Sequence, residues 1–298
     1  MRAVYHPAYE LNIGIHVWPT AKYRLVRDRL AARGEAFVFS EPAPATWEQL
    51  ALVHFPAWLE KLRTCALTSE EIRHLEIPWN AQIGAGFLAM AGGTILTARF
   101  ALEDGIALHV GGGLHHAFPG HGEGFCPIND IAVAVRVLQG ESRVARAAVV
   151  DCDVHQGNGT AIAFATDDSV FTFSIHQEHN YPSWKPKSDL DIGVRDRTTD
   201  GEYLERLHEG IEAVLHHKPG LIVYVAGADP FQYDQLGGLA LTKDGLRRRD
   251  RAVLTAARQA GIPVAIVLAG GYAQRVEDTI DIHTATAEEA QAILNLRI

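Results

Sequence analysis

Five short runs of apolar residues, each followed at once by glycine or polar residues, constrain the fold of this chain more than any other feature. The runs cover residues 106–110, 147–150, 170–174, 221–225 and 264–268. Continuous apolar runs of this length are typical of strands buried on both faces, as in parallel sheets. Helical patterns precede or separate them, at 20–33, 82–103, 129–139, 157–166, 200–217 and 243–260. This alternation predicts an α/β fold in which helices cover both faces of a parallel sheet.

Residues that flank the helical patterns predict where some of the helices begin and end. Asp200 and Thr242 are expected to cap the starts of two helices, and Gly261 to stop the second of these. The most apolar stretch, 81–98, contains four glycines and a glutamine, so we expect a buried core helix and not a membrane span. Because no internal repeat or interdomain linker is apparent, residues 1–298 are expected to form a single domain.

Polar residues follow each of the five predicted strands. In a parallel sheet the carboxyl ends of neighbouring strands meet at one edge, which is where such sheets bind ligands. Histidine, aspartate, glycine and tyrosine gather there, at 111–116, 151–155, 174–176, Asp229 and 270–272. We therefore expect the functional site at this edge of the sheet.

The string from Asp151 to His155 has the composition of a metal site. Side chains two residues apart on an extended segment point the same way, so Asp151, Asp153 and His155 share one face. Asp153, His155 and Asp229 can supply the three protein ligands of a catalytic zinc ion, while Asp151 orients a neighbouring histidine. The alternative is that these residues cap helices and accept backbone hydrogen bonds. Because several strands of this chain end in polar residues, metal binding is the favoured interpretation.

Two further strand ends carry groups suited to hydrolysis. Three glycines precede His115 and His116, and they allow the backbone to approach a ligand closely. Adjacent histidines beside a metal can act as general base and general acid. Tyr272 follows Gly270 and Gly271, and its phenol can donate a hydrogen bond to a developing oxyanion. Without a metal nearby, the histidines could be surface residues and the tyrosine could simply pack at a helix start.

The charge and the cysteines exclude some classes of function. A formal net charge of -9 makes binding of nucleic acid through the overall field a poor explanation. The 3 cysteines form no CxxC pair, so neither a disulfide framework nor a zinc–thiolate site is expected. The first residues lack the apolar stretch of a signal peptide. These features predict a cytoplasmic protein with no membrane partner.

Together, the strand-end motifs resemble the histone deacetylase superfamily, which includes bacterial deacylases and acetylpolyamine amidohydrolases. The similar strings are GGGLHH at 111–116, GFCPIND at 124–130, DCDVHQGNG at 151–159, AGAD at 226–229 with Asp234, and AGGY at 269–272. The resemblance implies a three-layer, arginase-like α/β fold with a mainly parallel sheet of about eight strands. It also implies a zinc-dependent hydrolase that cleaves the amide of an N-acylated amine, such as an acyl-lysine peptide or an acylated polyamine.

The resemblance assigns catalytic roles to five residues. His116 resembles the general base and acid of the family, His115 its partner, held by Asp151, and Tyr272 the oxyanion donor. Asn158 stands where many members place an aspartate against the second histidine, and in this it is similar to the class IV branch. An amide stabilises imidazolium less than a carboxylate does, so we predict that His116 is a weaker base here, with a lower pKa.

The resemblance also assigns ion-binding and substrate-binding residues. One zinc ion per chain would be held by Asp153, His155 and Asp229. A structural potassium ion would be held, partly by backbone carbonyls, by Asp151, Asp153, His155, Ser174 and Ile175. The acyl-lysine tunnel would be formed by Gly124, Phe125, Gly270 and Gly271. Leu114 replaces an aromatic residue common in the family, which alters packing below the site. Glu76 and the loop 176–189 could shape the entrance of the tunnel, but we expect them to be solvated surface residues instead.

The sequence leaves three alternative functions open. An acetylpolyamine amidohydrolase would use the same site. An arginase-like ureohydrolase with two manganese ions needs additional bridging carboxylates, but Gly157 stands two residues after His155, where that chemistry needs an acid. An inactive acyl-lysine binding module would not need the intact His115, His116 and Tyr272. The sequence leaves the substrate, the acyl length and the oligomeric state open.

Overall fold

In the computed structural model, which describes residues 1–296, eight strands form one sheet in which every neighbouring pair is parallel. The strand order is β2-β1-β3-β8-β7-β4-β5-β6. This confirms the predicted parallel sheet of about eight strands. The strands are β1 (Arg2–Val4), β2 (Val38–Ser40), β3 (Ile106–His109), β4 (Ala147–Asp151), β5 (Val170–Gln177), β6 (Leu190–Val194), β7 (Ile222–Val225) and β8 (Val264–Val267).

The five predicted strands are the ones in the middle of the sheet. Every residue of β3, β4, β7 and β8 is buried, as expected for strands covered on both faces. The three strands that the sequence did not reveal lie at or near the edges of the sheet. β1 and β2 are three residues long, too short for a periodic signal, and β6 alternates between exposed and buried residues.

Helices cover both faces of the sheet and give three layers. β3 contacts both α5 and α10, and β5 contacts both α7 and α8. One layer contains α5, α6 and α7, and the other contains α1, α10, α9 and α8. The α-helices of the described part of the chain are α1 (Lys22–Ala31), α2 (Trp47–Leu50), α3 (Pro56–Arg63), α4 (Ser69–Leu75), α5 (Ala81–Asp104), α6 (Asp130–Gly140), α7 (Asn158–Phe164), α8 (Asp200–His216), α9 (Lys243–Gln259) and α10 (Val276–Leu294).

The predicted helix ends are confirmed for α9 and wrong for α8. The side chain of Thr242 accepts a hydrogen bond from the amide of Gly245, and Gly261 follows α9 with φ +69°. At α8 the N-cap is Thr199, and Asp200 is the first helical residue. The Asp200 carboxylate instead accepts hydrogen bonds from the amide and hydroxyl of Thr242, so it ties the starts of the two helices together.

The long apolar helix α5 belongs to the core, as predicted. Its length and composition would allow it to cross a membrane, but 67% of its apolar window is buried inside the protein. It packs against α6 on one side and lies over β3 and β8. Gly93 permits the close approach to β3, since a Cβ atom there would lie 2.3 Å from His109 Nε2.

The strand order brings the predicted site residues together. β3, β8, β7, β4 and β5 are consecutive neighbours in the sheet. Because all five are parallel, the segments that follow them emerge side by side at one edge. Residues that are far apart in the sequence, from His115 to Tyr272, are therefore neighbours in space.

Candidate metal centre and active site

Three predicted metal ligands lie close together just beyond the carboxyl ends of β4 and β7. One ligand atom each from Asp153, His155 and Asp229 lies within 4.8 Å of the others, and all three residues are buried. His155 Nδ1 is 3.1 Å from Asp153 Oδ1 and 3.5 Å from Asp229 Oδ2. Asp229 Oδ2 has no hydrogen-bond partner although it is fully buried. Two carboxylates and an imidazole that face one point, with one carboxylate oxygen left without a donor, form a donor set suited to a divalent cation such as zinc.

The charges at this point also favour a cation. Burial lowers the pKa of His155, but hydrogen bonds and the negative charges of Asp153 and Asp229 outweigh it and raise that pKa to about 10. Burial, together with the charge of Asp153, raises the pKa of Asp229 to about 7. Negative charge is thus concentrated in a buried place, where a cation stabilises it most.

Backbone amides fix the orientation of both carboxylates. Gly270 N donates to Asp153 Oδ2 across 2.9 Å, and Val154 N donates to Asp229 Oδ1 across 2.9 Å. A Cβ atom at Gly270 would lie 2.6 Å from Asp153 Oδ2 and would overlap the Asp229 carboxylate. Glycine is therefore required at this position for the backbone to approach the ligands.

Arg249 connects the two segments that carry the predicted ligands, a role that its local sequence does not indicate. It lies on α9 in a run of charged residues that looks like a solvated face, yet its side chain is fully buried. Its guanidinium donates to the carbonyl oxygens of Cys152 and Gly227 and pairs with Asp250. Arg249 thus holds the residue before Asp153 and the segment that leads to Asp229 in fixed relative positions.

The histidine pair lies beside the ligand cluster, and its two members have different surroundings. His115 Nδ1 is 2.7 Å from Asp151 Oδ2, whereas His116 Nδ1 is 2.8 Å from Asn158 Oδ1. Burial lowers the pKa of His115, but Asp151 and Asp153 outweigh it and raise that pKa to about 9. The pKa of His116 lies well below its usual value because of burial and the nearby His115 and His155. The two imidazoles are therefore set to opposite protonation states near neutral pH.

A buried carboxylate holds the glycine-rich turn that presents the histidines. Asp130 Oδ1 accepts from Leu114 N across 2.7 Å, and Oδ2 accepts from Gly113 N across 3.0 Å. The same carboxylate accepts from the Thr94 hydroxyl, which also contacts His109. The motif at 124–130 contains Asp130, but its role is not apparent from the sequence, because its hydrogen-bond partners lie 16 or more residues away.

Tyr272 is held at the end of β8 by contacts on both sides of its backbone. Its amide donates to Asp234 Oδ2 across 2.7 Å. The fully buried Lys22 donates to the carbonyl oxygen of Ala269 across 2.8 Å, and its ammonium lies 5.4 Å from the Tyr272 ring. Burial raises the pKa of the Tyr272 hydroxyl well above its usual value, so it remains a donor.

The predicted site residues open into one cavity of about 250 Å³. His115, His116, Asp153, His155, Gly270 and Tyr272 all line it. Phe125 forms a wall, with its ring stacked on Trp18 at 6.0 Å and edge-on to His16 at 4.8 Å. Gly124 has φ +51°, and a Cβ atom there would lie 2.9 Å from both His116 Cδ2 and the Tyr181 hydroxyl. Gly124 therefore lets this wall come close to His116, and its role in an acyl-lysine tunnel stays a prediction.

The expectation that the loop 176–189 is mainly solvated is wrong for part of the loop, whereas Glu76 is exposed, as expected. Glu76, Asn180 and Tyr181 line the cavity. Tyr181 lies edge-on to His116, with ring centroids 4.9 Å apart. No periodic pattern marks an isolated loop tyrosine, and only the tertiary fold shows that it faces the site.

The remaining predicted residues lie around this cavity. Asp151 and Asn158 lie behind the histidines and contact them directly. Gly271 packs behind Tyr272, where a Cβ atom would meet Thr279 and Ala228. Asp151 and Ser174 are register partners across β4 and β5, and Ile175 follows on β5. The residues predicted to bind potassium are thus neighbours, and potassium binding itself stays a prediction.

Comparisons with known proteins agree with this geometry. The sequence profile of the histone deacetylase domain family matches residues 16–287. The chain is 43% identical over 296 residues to an uncharacterised protein of Picosynechococcus, covering 97% of this chain and 98% of that protein. It is 30% identical over 298 residues to Histone deacetylase 2 of Arabidopsis thaliana, covering 93% and 77%. The acetylpolyamine aminohydrolase from Burkholderia pseudomallei has the same fold, with TM-score 0.83, 21% identity and coverage of 98% and 99%.

Proposed function

Since the chain belongs to the histone deacetylase family, we propose that it is a zinc-dependent deacylase that hydrolyses the amide of acyl-lysine. The observation that carries this proposal is the convergence of Asp153, His155 and Asp229 beside the His115–His116 pair, in one cavity with Tyr272. A metal site, a base, an acid and an oxyanion donor are the groups that hydrolysis of an unactivated amide requires.

Asp153, His155 and Asp229 would hold the zinc ion, one per chain. When bound there, the ion supplies a Lewis acid that polarises the acyl oxygen and lowers the pKa of water. The burial of these ligands keeps competing solvent away from the reacting amide. Their fixed orientation, set by the amides of Val154 and Gly270, prepares the site before substrate arrives.

The two histidines divide the proton transfers. His116 is neutral near pH 7 because its pKa is lowered, so it can accept the proton of the attacking water. Burial lowers the pKa of His115, but the charges of Asp151 and Asp153 outweigh it and raise that pKa, which favours His115 over His116 as the group that donates to the leaving amine. Tyr272, protonated at any physiological pH, donates a hydrogen bond to the oxyanion of the tetrahedral intermediate.

An acylated polyamine is the second candidate substrate. Glu76 lines the cavity, and Glu123 hydrogen-bonds to Tyr181, which also lines it. Two acidic groups here would attract a substrate that carries further ammonium groups. The acetylpolyamine aminohydrolase that shares this fold acts on such a compound by its name, which supports testing this class alongside acyl-lysine.

We also propose a structural potassium ion beside the zinc site. Asp151, Asp153, His155, Ser174 and Ile175 would contribute to it. The register pairing of Asp151 with Ser174 supports this proposal, because it brings the ends of β4 and β5 together directly below the ligand loop. Metal analysis of protein prepared with and without potassium would test it.

A substrate panel on the purified, zinc-loaded protein tests the function. The panel contains fluorogenic acyl-lysine peptides and acylated polyamines, each with acetyl and longer acyl groups. Release of the acid from any of them supports the proposal, and the ratio of kcat/KM values between the two amine classes identifies the substrate. No release from any compound would favour an acyl-lysine binding module instead.

The two-metal ureohydrolase reading receives no support from the site. Among the described residues 1–296, one group of ligands is found that could hold a metal ion. The residue two after His155 is Gly157, whose Cβ position would lie against the Asp151 carboxylate and His115, so no acid fits there. Hydrolysis of a guanidinium substrate, added to the panel for this purpose, would reverse this conclusion.

A further inference from the structure

A carboxylate lies directly behind Asn158, on the side away from His116. Asn158 Nδ2 donates to Glu123 Oε1 across 2.5 Å, and the Tyr181 hydroxyl donates to the same oxygen across 3.1 Å. The Glu123 side chain is 22% exposed, so it borders solvent while it reaches the buried amide. His116, Asn158 and Glu123 therefore form a continuous chain of hydrogen bonds.

Glu123 determines which way round the Asn158 amide lies. An amide has a donor end and an acceptor end, whereas an ionised carboxylate only accepts. Burial would raise the pKa of Glu123, but hydrogen bonds from His121, Asn158 and Tyr181 outweigh it and lower that pKa, so it is ionised at neutral pH. The NH₂ group of Asn158 must then face Glu123, and its Oδ1 must face His116. The Gly159 amide, which donates to the same Oδ1 across 3.0 Å, favours this orientation as well.

The orientation of the amide in turn sets the tautomer of His116. Asn158 Oδ1 can only accept, so the hydrogen of neutral His116 lies on Nδ1, and Nε2 keeps its lone pair. A neutral asparagine alone imposes this tautomer weakly, because its amide can turn over and present its NH₂ group instead. A fixed acceptor-only partner behind it removes that freedom.

We propose that Glu123 is a positioning residue that fixes the Asn158 amide and thereby holds His116 in the tautomer whose Nε2 can accept a proton. The inference rests on the proposed function, since the lone pair on His116 Nε2 is needed to accept a proton during hydrolysis. The Glu123 carboxylate acts on His116 through Asn158, whereas the aspartate found at this position in many members of the family would contact the histidine directly. Hydrogen bonds in such a chain also polarise one another, which strengthens the contact to His116.

A different role for Glu123 would be to bind the substrate amine. The substitution Glu123→Gln separates the two roles, because glutamine keeps the shape but presents both a donor and an acceptor. A positioning role predicts a fall in kcat on the order of tenfold with little change in KM. A substrate-binding role predicts a raised KM for cationic substrates with kcat unchanged. The matched control is Glu178→Gln, which removes an exposed acid that does not line the cavity and does not contact Asn158.

The tautomer itself can be measured without turnover. Long-range ¹H–¹⁵N spectra of the histidine-labelled, zinc-loaded protein distinguish the two neutral tautomers, and a His116→Ala variant assigns the signals. We expect the Nδ1–H form in the wild type and in Glu178→Gln, and a mixture of tautomers in Glu123→Gln. In the double variant Glu123→Gln/Asn158→Asp, a carboxylate that can only accept meets His116 directly, so the pure Nδ1–H form should return.

These readouts separate the inference from the proposed function. If the wild type is active and Glu123→Gln keeps the pure Nδ1–H form of His116, the role of Glu123 is refuted while the function stands. If no acyl-amine is hydrolysed by the wild type, yet Glu123→Gln mixes the tautomers, the function is refuted while the effect of Glu123 on His116 stands.

Discussion

Arg249 Nη1 donates to the carbonyl oxygen of Gly227 across 2.6 Å, and the same nitrogen lies 3.2 Å from the carbonyl oxygen of Cys152. One fully buried cation thus joins the two chain segments that carry the metal ligands. Its charge is balanced by Asp250, whose carboxylate also accepts from Tyr224 and Thr286. The active site is supported from below by a polar network that contains no residue of the cavity wall.

Replacing Arg249 with methionine should destabilise the protein strongly. The change leaves the Asp250 charge buried without its partner, and breaking a buried pair in this way costs about 3–5 kcal/mol. Urea titration would measure the loss, and zinc affinity should fall as the ligand segments lose their common anchor. Arg248→Met is the control, because the exposed ion pairs of Arg248 contribute little. Equal losses in the two variants would show that Arg249 has no special structural role.

Replacing Tyr272 with phenylalanine should reduce kcat by about 100- to 1000-fold, because the oxyanion loses a hydrogen-bond donor. KM and the melting temperature should change little, since the ring and its contact with Phe125 remain. Tyr233→Phe removes the hydroxyl of an exposed tyrosine and should leave kcat intact. Full activity of Tyr272→Phe would remove this residue from the mechanism.

Introducing a carboxylate against His116 should shift the acid side of the pH–rate profile. A carboxylate favours imidazolium and raises the pKa of His116, so kcat/KM should begin to rise only at higher pH than in the wild type. Asn158→Asp alone would place two carboxylates face to face, because Glu123 lies 2.5 Å from the amide nitrogen. The comparison is therefore best made between Glu123→Gln and the double variant Glu123→Gln/Asn158→Asp. An acid-side limb at the same pH in both would contradict the prediction.

Chelation should abolish activity, and one equivalent of zinc per chain should restore it. Asp229→Ala should lower the zinc content measured by metal analysis, because it removes one of three ligands and the carboxylate oxygen that has no other partner. Asp244→Asn, a change at an exposed carboxylate on α9, should leave the zinc content unchanged. Binding of two equivalents would point to a two-metal site instead.

The sequence predicted the middle of the fold well and its borders poorly. Strands buried on both faces must be continuously apolar, so β3, β4, β7 and β8 were recognisable from composition alone. α10 was missed because its three threonines and its isoleucines have weak helical propensity, and packing against α9 and α1 stabilises it instead. The short helices α2 to α4 were missed because segments of four to eight residues give little periodic signal.

Some residues of the site could be predicted from the local sequence, and others could not because their contacts are long-range. Asp153, His155, His115, His116 and Tyr272 stand directly after strands, so a local pattern placed them at one edge of the sheet. Supporting residues such as Arg249 and Glu123 act through partners that are distant in the sequence. Nothing in their local sequence distinguishes them from surface charges, and only the packing of α9 and of the turn before Gly124 shows what they contact.

The strand order has a consequence for the timing of maturation. β8 is the last strand to leave the ribosome, yet it lies in the interior of the sheet, between β3 and β7. Without β8 the sheet lacks the strand that pairs with both β3 and β7, so the part with the histidine pair and the part with Asp153, His155 and Asp229 are not joined by strand pairing. The amide of Gly270, which orients Asp153, arrives only with the end of β8. A metal ion held by Asp153, His155 and Asp229 would therefore meet the complete site only after β8 has been translated.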